Sequence, residues 1–171
     1  IDDPLYFRNN FYIDLNNLKV LGRIYVASEG VNAQVSVPKH NWESFRKVIK
    51  SRSILKDARI KKAISDGISF YKLKIKVKSE LVAYGLSLYE YDITKQGKHI
   101  NAEEFNTQLD KDNVTVVDMR NYYESEVGRF QNAIIPNVEK SKDLLVEVKK
   151  ILRGKENEEV LLYCTGGIRC E

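Results

Sequence analysis

The sequence is poor in the residues that most often announce a function. Only two cysteines occur among its 171 residues, Cys164 and Cys170, with five residues between them. That is too few for a disulfide framework. It is also too few for a zinc site, which wants four ligands, and no C-x-x-C or paired histidines make up the number. No metal ligands are therefore expected. The two histidines, His40 and His99, stand apart and read as surface or packing residues. No apolar run approaches the roughly 18–20 residues of a membrane span. The opening Ile1-Asp2-Asp3-Pro4 has neither the basic end nor the apolar stretch of a secretory leader. A reducing, cytoplasmic setting is expected. Met119 is the single methionine, so Ile1 is not expected to be a translation start, and the sequence reads as a piece of a longer polypeptide.

What is present is an ordinary apolar share of 43%, a charged share of 30% and a net charge of +4. These allow one or two globular cores and permit a polyanionic partner without requiring one.

The first part reads as α+β. Asp3-Pro4 supplies a cap and a first-turn proline ahead of Leu5, Phe7, Phe11, Tyr12, Leu15 and Leu18, at broadly helical spacing. A strand at 20–27, a turn at 28–30 and a returning strand at 32–37 follow, closed by Pro38. Trp42, Phe45, Val48 and Ile49 predict an amphipathic helix over 40–51, and 58–64 is a weaker strand candidate. The clearest period-2 pattern runs over 70–78. It sets Tyr71, Leu73, Ile75 and Val77 on one face and Lys72, Lys74, Lys76 and Lys78 on the other. Helix–strand–strand–helix–strand fits a ferredoxin-like sandwich lacking its first strand, over residues 1–80.

Residues 81–97 loosen around Gly85 and Gly97 and are expected to link this domain to a second, 98–171. Asn101 and Glu104 make a capping box for a helix there. The apolar run 114–118 has the character of a strand buried in a parallel sheet. After it come a polar stretch at 119–132, a helix near 139–152 and a second buried strand at 160–163. The alternation is α/β.

Cys164 falls at the carboxyl end of that second strand, where open α/β sheets place their ligands. Thr165, Gly166, Gly167, Ile168 and Arg169 follow. The glycines let backbone N–H groups converge into an anion cradle, and a helix expected to begin near Arg169 would add its positive end. A thiol so placed loses its proton more readily and becomes a nucleophile. The other reading of Cys164 is a buried structural thiol; for Cys170, packing competes with a role as a resolving thiol. Cysteine phosphatases place one residue more between Cys and Arg, and the shorter loop suits a terminal sulfur on the cysteine better than a phosphoryl group. Asp118, Arg120 and Glu124, at the end of the first strand, are candidates for an ionic cluster that shapes the pocket, either as architecture or in catalysis. The lysine row is either a solvated face or a track for phosphates. Glu29-Gly30-Val31-Asn32-Ala33-Gln34 is either a hairpin or a second contact.

The stretch from Val116-Val117-Asp118-Met119-Arg120 through Gly128-Arg129-Phe130-Gln131-Asn132-Ala133-Ile134 resembles the opening motif of rhodanese-like domains, with Arg129 where many of them have histidine. Together with Gly22 to Gln34 (GRIYVASEGVNAQ), Phe70-Tyr71-Lys72-Leu73-Lys74 and Tyr163-Cys164-Thr165-Gly166-Gly167-Ile168-Arg169-Cys170-Glu171, the chain resembles the tRNA uridine(34) hydroxylase family. The resemblance implies an acylphosphatase-like domain followed by a truncated rhodanese-like domain. It further implies oxygen-dependent conversion of the wobble uridine of tRNA to 5-hydroxyuridine, with molecular oxygen as co-substrate, tRNA as partner and Cys164 as the active cysteine. It implies, too, a continuation past Glu171 with the rest of an active-site helix and a cysteine-rich tail. Addition of a Cys164 thiolate to C6 of the uracil, activating C5 toward an oxygen species, is one route. Two rival functions are a sulfurtransferase carrying a Cys164 persulfide and a non-catalytic tRNA-binding module.

Overall fold

A computed structural model describes residues 1–86, 92, 97–111, 113–166 and 168–170. The chain divides into two compact units, Ile1–Leu81 and Val82–Glu171.

In the first unit, helix α1 (Pro4–Asn17) begins where expected: the Asp3 carboxylate accepts the Tyr6 N–H at 2.9 Å, and Pro4 opens the first turn. Strand β1 (Leu21–Ala27) returns through a tight turn to β2 (Gly30–Ser36) and pairs with it antiparallel. Helix α2 (Trp42–Lys50) then leads toward β3 (Leu73–Val77), which lies parallel to β1 on its other side. β1 is thus the central strand of three. Its Ile24 stands across from Ile75 and Ala33. The two helices send Phe11, Leu15, Phe45 and Ile49 into one buried cluster with Ile24, Val26 and Ile75. Arg52 ties the helices together, pairing with Asp14 of α1 while its guanidinium sits 5.0 Å over the Phe11 ring. Gly22 is required in β1: its φ is +147°, and a Cβ there would meet the Gln34 carbonyl oxygen at 2.3 Å.

Two expectations change. Residues 58–64 form no strand. Ile60 and Ile64 are 46% and 86% exposed, so too little apolar burial offsets the cost of ordering the segment. The alternation at 70–78 is realised only from Leu73, and Tyr71 stands 88% exposed outside the strand.

In the second unit, α3 (Ala102–Leu109) carries the expected capping box. The Glu104 N–H donates to Asn101 Oδ1, and the Asn101 N–H donates to Glu104 Oε2, both at 2.9 Å. Strand β4 (Thr115–Asp118) is buried at every position and runs parallel to β5 (Val160–Tyr163). The polar stretch after β4 contains a short helix, α4 (Tyr122–Val127), that the sequence reading left unassigned. It buries only Ser125, so no apolar period announced it. Ile134 then bridges to β4, its N–H donating to the Val116 carbonyl at 2.8 Å. Helix α5 (Ser141–Ile151) packs Leu144 and Val148 on Val117 and Met119. Of the expected link, 87–91 and 93–96 lie outside the described residues, whereas Tyr84 packs against this second core.

Candidate active site

The ends of β4 and β5 lie side by side, Asp118 in register with Tyr163. The next peptide continues the pairing, the Met119 N–H donating to the Tyr163 carbonyl at 2.9 Å. Cys164 therefore leaves the sheet just where β4 turns into α4.

Asp118 is fully buried and serves as an acceptor hub. Arg120 donates to it from its backbone N–H at 3.0 Å, from Nε at 2.9 Å and from Nη2 at 2.7 Å. The Ser125 and Tyr163 hydroxyls each donate to Oδ2 at 2.7 Å. Burial pushes the carboxyl up, but these hydrogen bonds outweigh it and bring it down to about 2. Arg120 also donates to the Gly128 carbonyl at 2.6 Å and lies 5.3 Å over the Tyr163 ring. These bonds tie the end of β4 to Tyr163 of β5 and to Ser125 of α4.

Glu124 does not join that cluster. It accepts from Arg169 through both oxygens, Nη1 to Oε1 at 2.6 Å and Nη2 to Oε2 at 3.0 Å. The Thr165 hydroxyl donates to Oε2 at 2.9 Å, and Arg169 Nη2 reaches Thr165 Oγ1 at 3.2 Å. The α4 cap adds a hydrogen bond from the Asn121 N–H at 3.2 Å. Arg169 foremost, and against the effect of burial, holds the Glu124 carboxyl down to about 2. Arg169 is itself pushed up, first by Glu124, against its burial, and further by the charge and hydrogen bonding of Cys164. The loop arginine is thus packed inward, its side chain 14% exposed.

Cys164 and Cys170 are both half-buried against the core of Val117, Met119, Leu144 and Val148. Tyr84 packs with them, and its hydroxyl donates to the Arg169 carbonyl at 2.5 Å. Burial, and then the charges of Cys170 and Cys164, raise the Tyr84 phenol well above its usual range, so it remains a donor.

The structure therefore brings Cys164, Thr165, Arg169 and Glu124 together, with Asp118 and Arg120 as a neighbouring brace. Gly166 is exposed and Ile168 half-buried, while Gly167 lies outside the described residues. Ile168 and Arg169 form a turn, and Glu171 lies outside the described residues. Lys72, Lys74, Lys76 and Lys78 belong to the first unit, where all four are exposed. Three contributors escaped the sequence reading. Ser125 and Tyr163 carried no signal beyond position, and Tyr84 fell in a stretch read as a link. Among the described residues no group of three or more His, Cys, Asp or Glu could hold a metal ion, and no helix is long and apolar enough to cross a membrane.

Comparison with known proteins agrees with both halves of the fold. A family model described as the UPF0176 acylphosphatase-like domain matches residues 1–81, and one for the rhodanese-like domain matches residues 101–171. A Leptospira interrogans protein named tRNA uridine(34) hydroxylase is 49% identical over 165 residues, 96% of this chain and 45% of the relative. Proteins of the same name from Photorhabdus laumondii and Escherichia coli are 42% and 38% identical, covering 99% and 100% of this chain and 49% of each relative. The chain spans about half the length of the curated relatives it matches. With an acylphosphatase-like domain followed by a rhodanese-like domain, and these relatives across nearly its whole length, the chain belongs to the tRNA uridine(34) hydroxylase family.

Proposed function

We propose that this chain carries the reactive-cysteine part of an enzyme that hydroxylates the wobble uridine of tRNA to 5-hydroxyuridine, with molecular oxygen as co-substrate. The observation that carries the reading is Cys164 at the carboxyl end of β5, next to an Arg169 guanidinium whose orientation is fixed by Glu124 and Thr165. A fixed positive charge beside a thiol favours the thiolate. A thiolate adds readily to the electron-poor C6 of a uracil, which makes C5 nucleophilic toward an oxygen species. One atom of O2 then ends on C5 and the other leaves as water, with two electrons and two protons from a reductant outside this chain, and loss of the C5 proton with departure of the thiolate from C6 restores the ring. The relatives' name supplies the substrate and the reaction class.

The test is nucleoside mass spectrometry of tRNA from cells lacking the protein, restored with wild type or with Cys164→Ser. Restoration of 5-hydroxyuridine and its derivatives by wild type alone supports the reading. Full restoration by Cys164→Ser removes the thiol from the reaction.

The match of residues 101–171 to rhodanese-like domains favours a second reading, a sulfurtransferase in which Cys164 carries a persulfide. Incubation with thiosulfate followed by intact-mass measurement distinguishes it: one stable added sulfur, lost in Cys164→Ser, supports sulfur carriage.

A further inference from the structure

The sheet of the first unit has one face filled and one face bare. Both helices pack their apolar residues against Ile24, Val26 and Ile75. The residues that alternate with these, Arg23 and Tyr25 of β1 and Lys74 and Lys76 of β3, lie on the opposite side. The register places Arg23 directly across from Lys74, and Tyr25 across from Lys76. On the other flank Asn32 and Gln34 of β2 stand beside Tyr25 and Arg23. Lys78 adds a further cation, its ammonium 5.6 Å from the Tyr25 ring centroid. No acidic residue occurs at any position on this face of the three strands.

As a structural choice this arrangement is unfavourable. Like charges directly opposite on neighbouring strands destabilise a sheet. Alternate lysines along β3 are separated by about 6.6 Å, inside the screening length at physiological salt. Arg23, Lys74, Lys76 and Lys78 are all exposed, so the face gains no burial in exchange. The repulsion is relieved by a polyanion, and lysines at every second residue match the stride of an extended phosphate backbone. Tyr25 lies at the centre, half-buried and flanked by two side-chain amides. An aromatic ring inside a basic groove is what single-stranded nucleic acid recognition uses, with bases stacking on the ring and phosphates lying on the cations.

We propose that this open sheet face binds an unpaired stretch of RNA: one base stacks on Tyr25, displacing the Lys78 ammonium toward a phosphate, Arg23, Lys74 and Lys76 hold the flanking phosphates, and Asn32 and Gln34 read base edges. The inference deepens the tRNA reading above and rests on it for the identity of the strand.

The experiment uses the 171-residue chain and two fluorescein-labelled RNAs of equal length, a hairpin with an unpaired loop and a full duplex. Binding is followed by anisotropy between about 50 and 200 mM salt. Tyr25→Leu, which keeps apolar bulk but loses the ring, is expected to weaken hairpin binding about fivefold or more. Duplex binding should stay within about a factor of two, since a paired base has no free face for stacking. Tyr25→Phe should bind as wild type does. Lys74→Gln with Lys76→Gln should weaken both RNAs and reduce the salt slope by about 0.7 per lysine on the unpaired strand. Wild-type chain photocrosslinked to a hairpin with 4-thiouridine in its loop should be labelled on β1 or β3, a result that needs no variant to fold.

If wild type binds the hairpin but Tyr25→Leu matches it and the crosslinks map elsewhere, this inference falls while the tRNA reading stands. If wild type binds neither RNA at the lower salt, both fall. If polyglutamate of equal charge displaces the hairpin as well as unlabelled hairpin does, the face is an acidic-protein site and the proposal is overturned.

Discussion

Arg169 and Glu124 form a two-armed ion pair, with N–O distances of 2.6 and 3.0 Å, between the cysteine loop and helix α4. The pair lies 45 residues apart in sequence and is mostly shielded from water, at 14% and 24% side-chain exposure. Bidentate geometry and partial burial separate it from surface pairs of little worth. Glu124→Gln leaves a shielded guanidinium without its counter-charge and is expected to cost about 2–3 kcal/mol in a denaturant titration. The same variant should lose 5-hydroxyuridine formation more than tRNA binding, because it frees Arg169 beside Cys164 and does not touch the lysine face.

Acid should weaken the second unit along a defined path. The carboxyls of Asp118 and Glu124 are both held down to about 2, from ordinary values of 3.8 and 4.5. Groups depressed in the folded state contribute stability that is fully present above their ordinary values and lost as pH falls through the folded ones. Unfolding free energy should thus be level above about pH 5 and fall between about pH 5 and 2, each carboxylate contributing about 2 kcal/mol. Chemical denaturation at pH 7, 5 and 3 checks this. The Glu124→Gln chain should show a shallower decline than wild type; an equal decline would remove the pair from the account.

Asp118→Asn tests the brace. The carboxylate takes hydrogen bonds from Arg120, Ser125 and Tyr163, whereas an amide offers one acceptor oxygen and turns an NH₂ toward a donor. A loss of about 3 kcal/mol is expected, since the half-buried Arg120 charge loses its partner and the Ser125 and Tyr163 hydroxyl bonds lose their shared acceptor. Asp118→Glu should fail to rescue, because the longer side chain does not fit a site closed on every side.

Tyr84→Phe removes the hydroxyl that donates to the Arg169 carbonyl and keeps the ring on the core beside Cys164 and Cys170. About 1 kcal/mol of stability should be lost. If Tyr84 positions the loop, kcat for tRNA modification should fall with KM for tRNA unchanged. Unaltered kcat would leave Tyr84 as packing alone.

Gly22→Ala probes the first unit. The left-handed φ costs a side chain about 1–3 kcal/mol. The added Cβ would also stand 2.3 Å from the Gln34 oxygen and 2.7 Å from the Val35 Cα, both backbone atoms that cannot move aside cheaply. Thermal unfolding should show the first unit severely destabilised, with α1 and β1 losing amide protection.

Most of the secondary structure was legible because its signals are local. Asp3-Pro4, the Asn101–Glu104 box and the apolar runs of β4 and β5 each act over a few residues. The cysteine loop was legible for the same reason, since the strand end, the glycines and Arg169 are contiguous. Which carboxylate Arg169 would face was not legible. Asp118 and Glu124 lie six positions apart, and only the turn into α4 separates their partners. Residues 58–64 misled because alternation states which residues would share a face but not whether a core waits beneath it. Tyr84 was missed because glycine-rich, loosely patterned sequence was read as a spacer, while its ring is anchored by a core assembled largely more than thirty residues further on.

The bonds that surround Cys164 have a consequence for biogenesis. Tyr163 reaches Asp118 across 45 residues, Arg169 reaches Glu124 across 45, and Tyr84 reaches Arg169 across 85. During synthesis the thiol therefore leaves the ribosome before its guanidinium neighbour can be clamped, and the clamp closes only once Arg169 has cleared the exit tunnel. The bonded cluster at the ends of β4 and β5 is therefore among the last parts of the second unit that can form as the chain emerges, after both strands and α4 have been made.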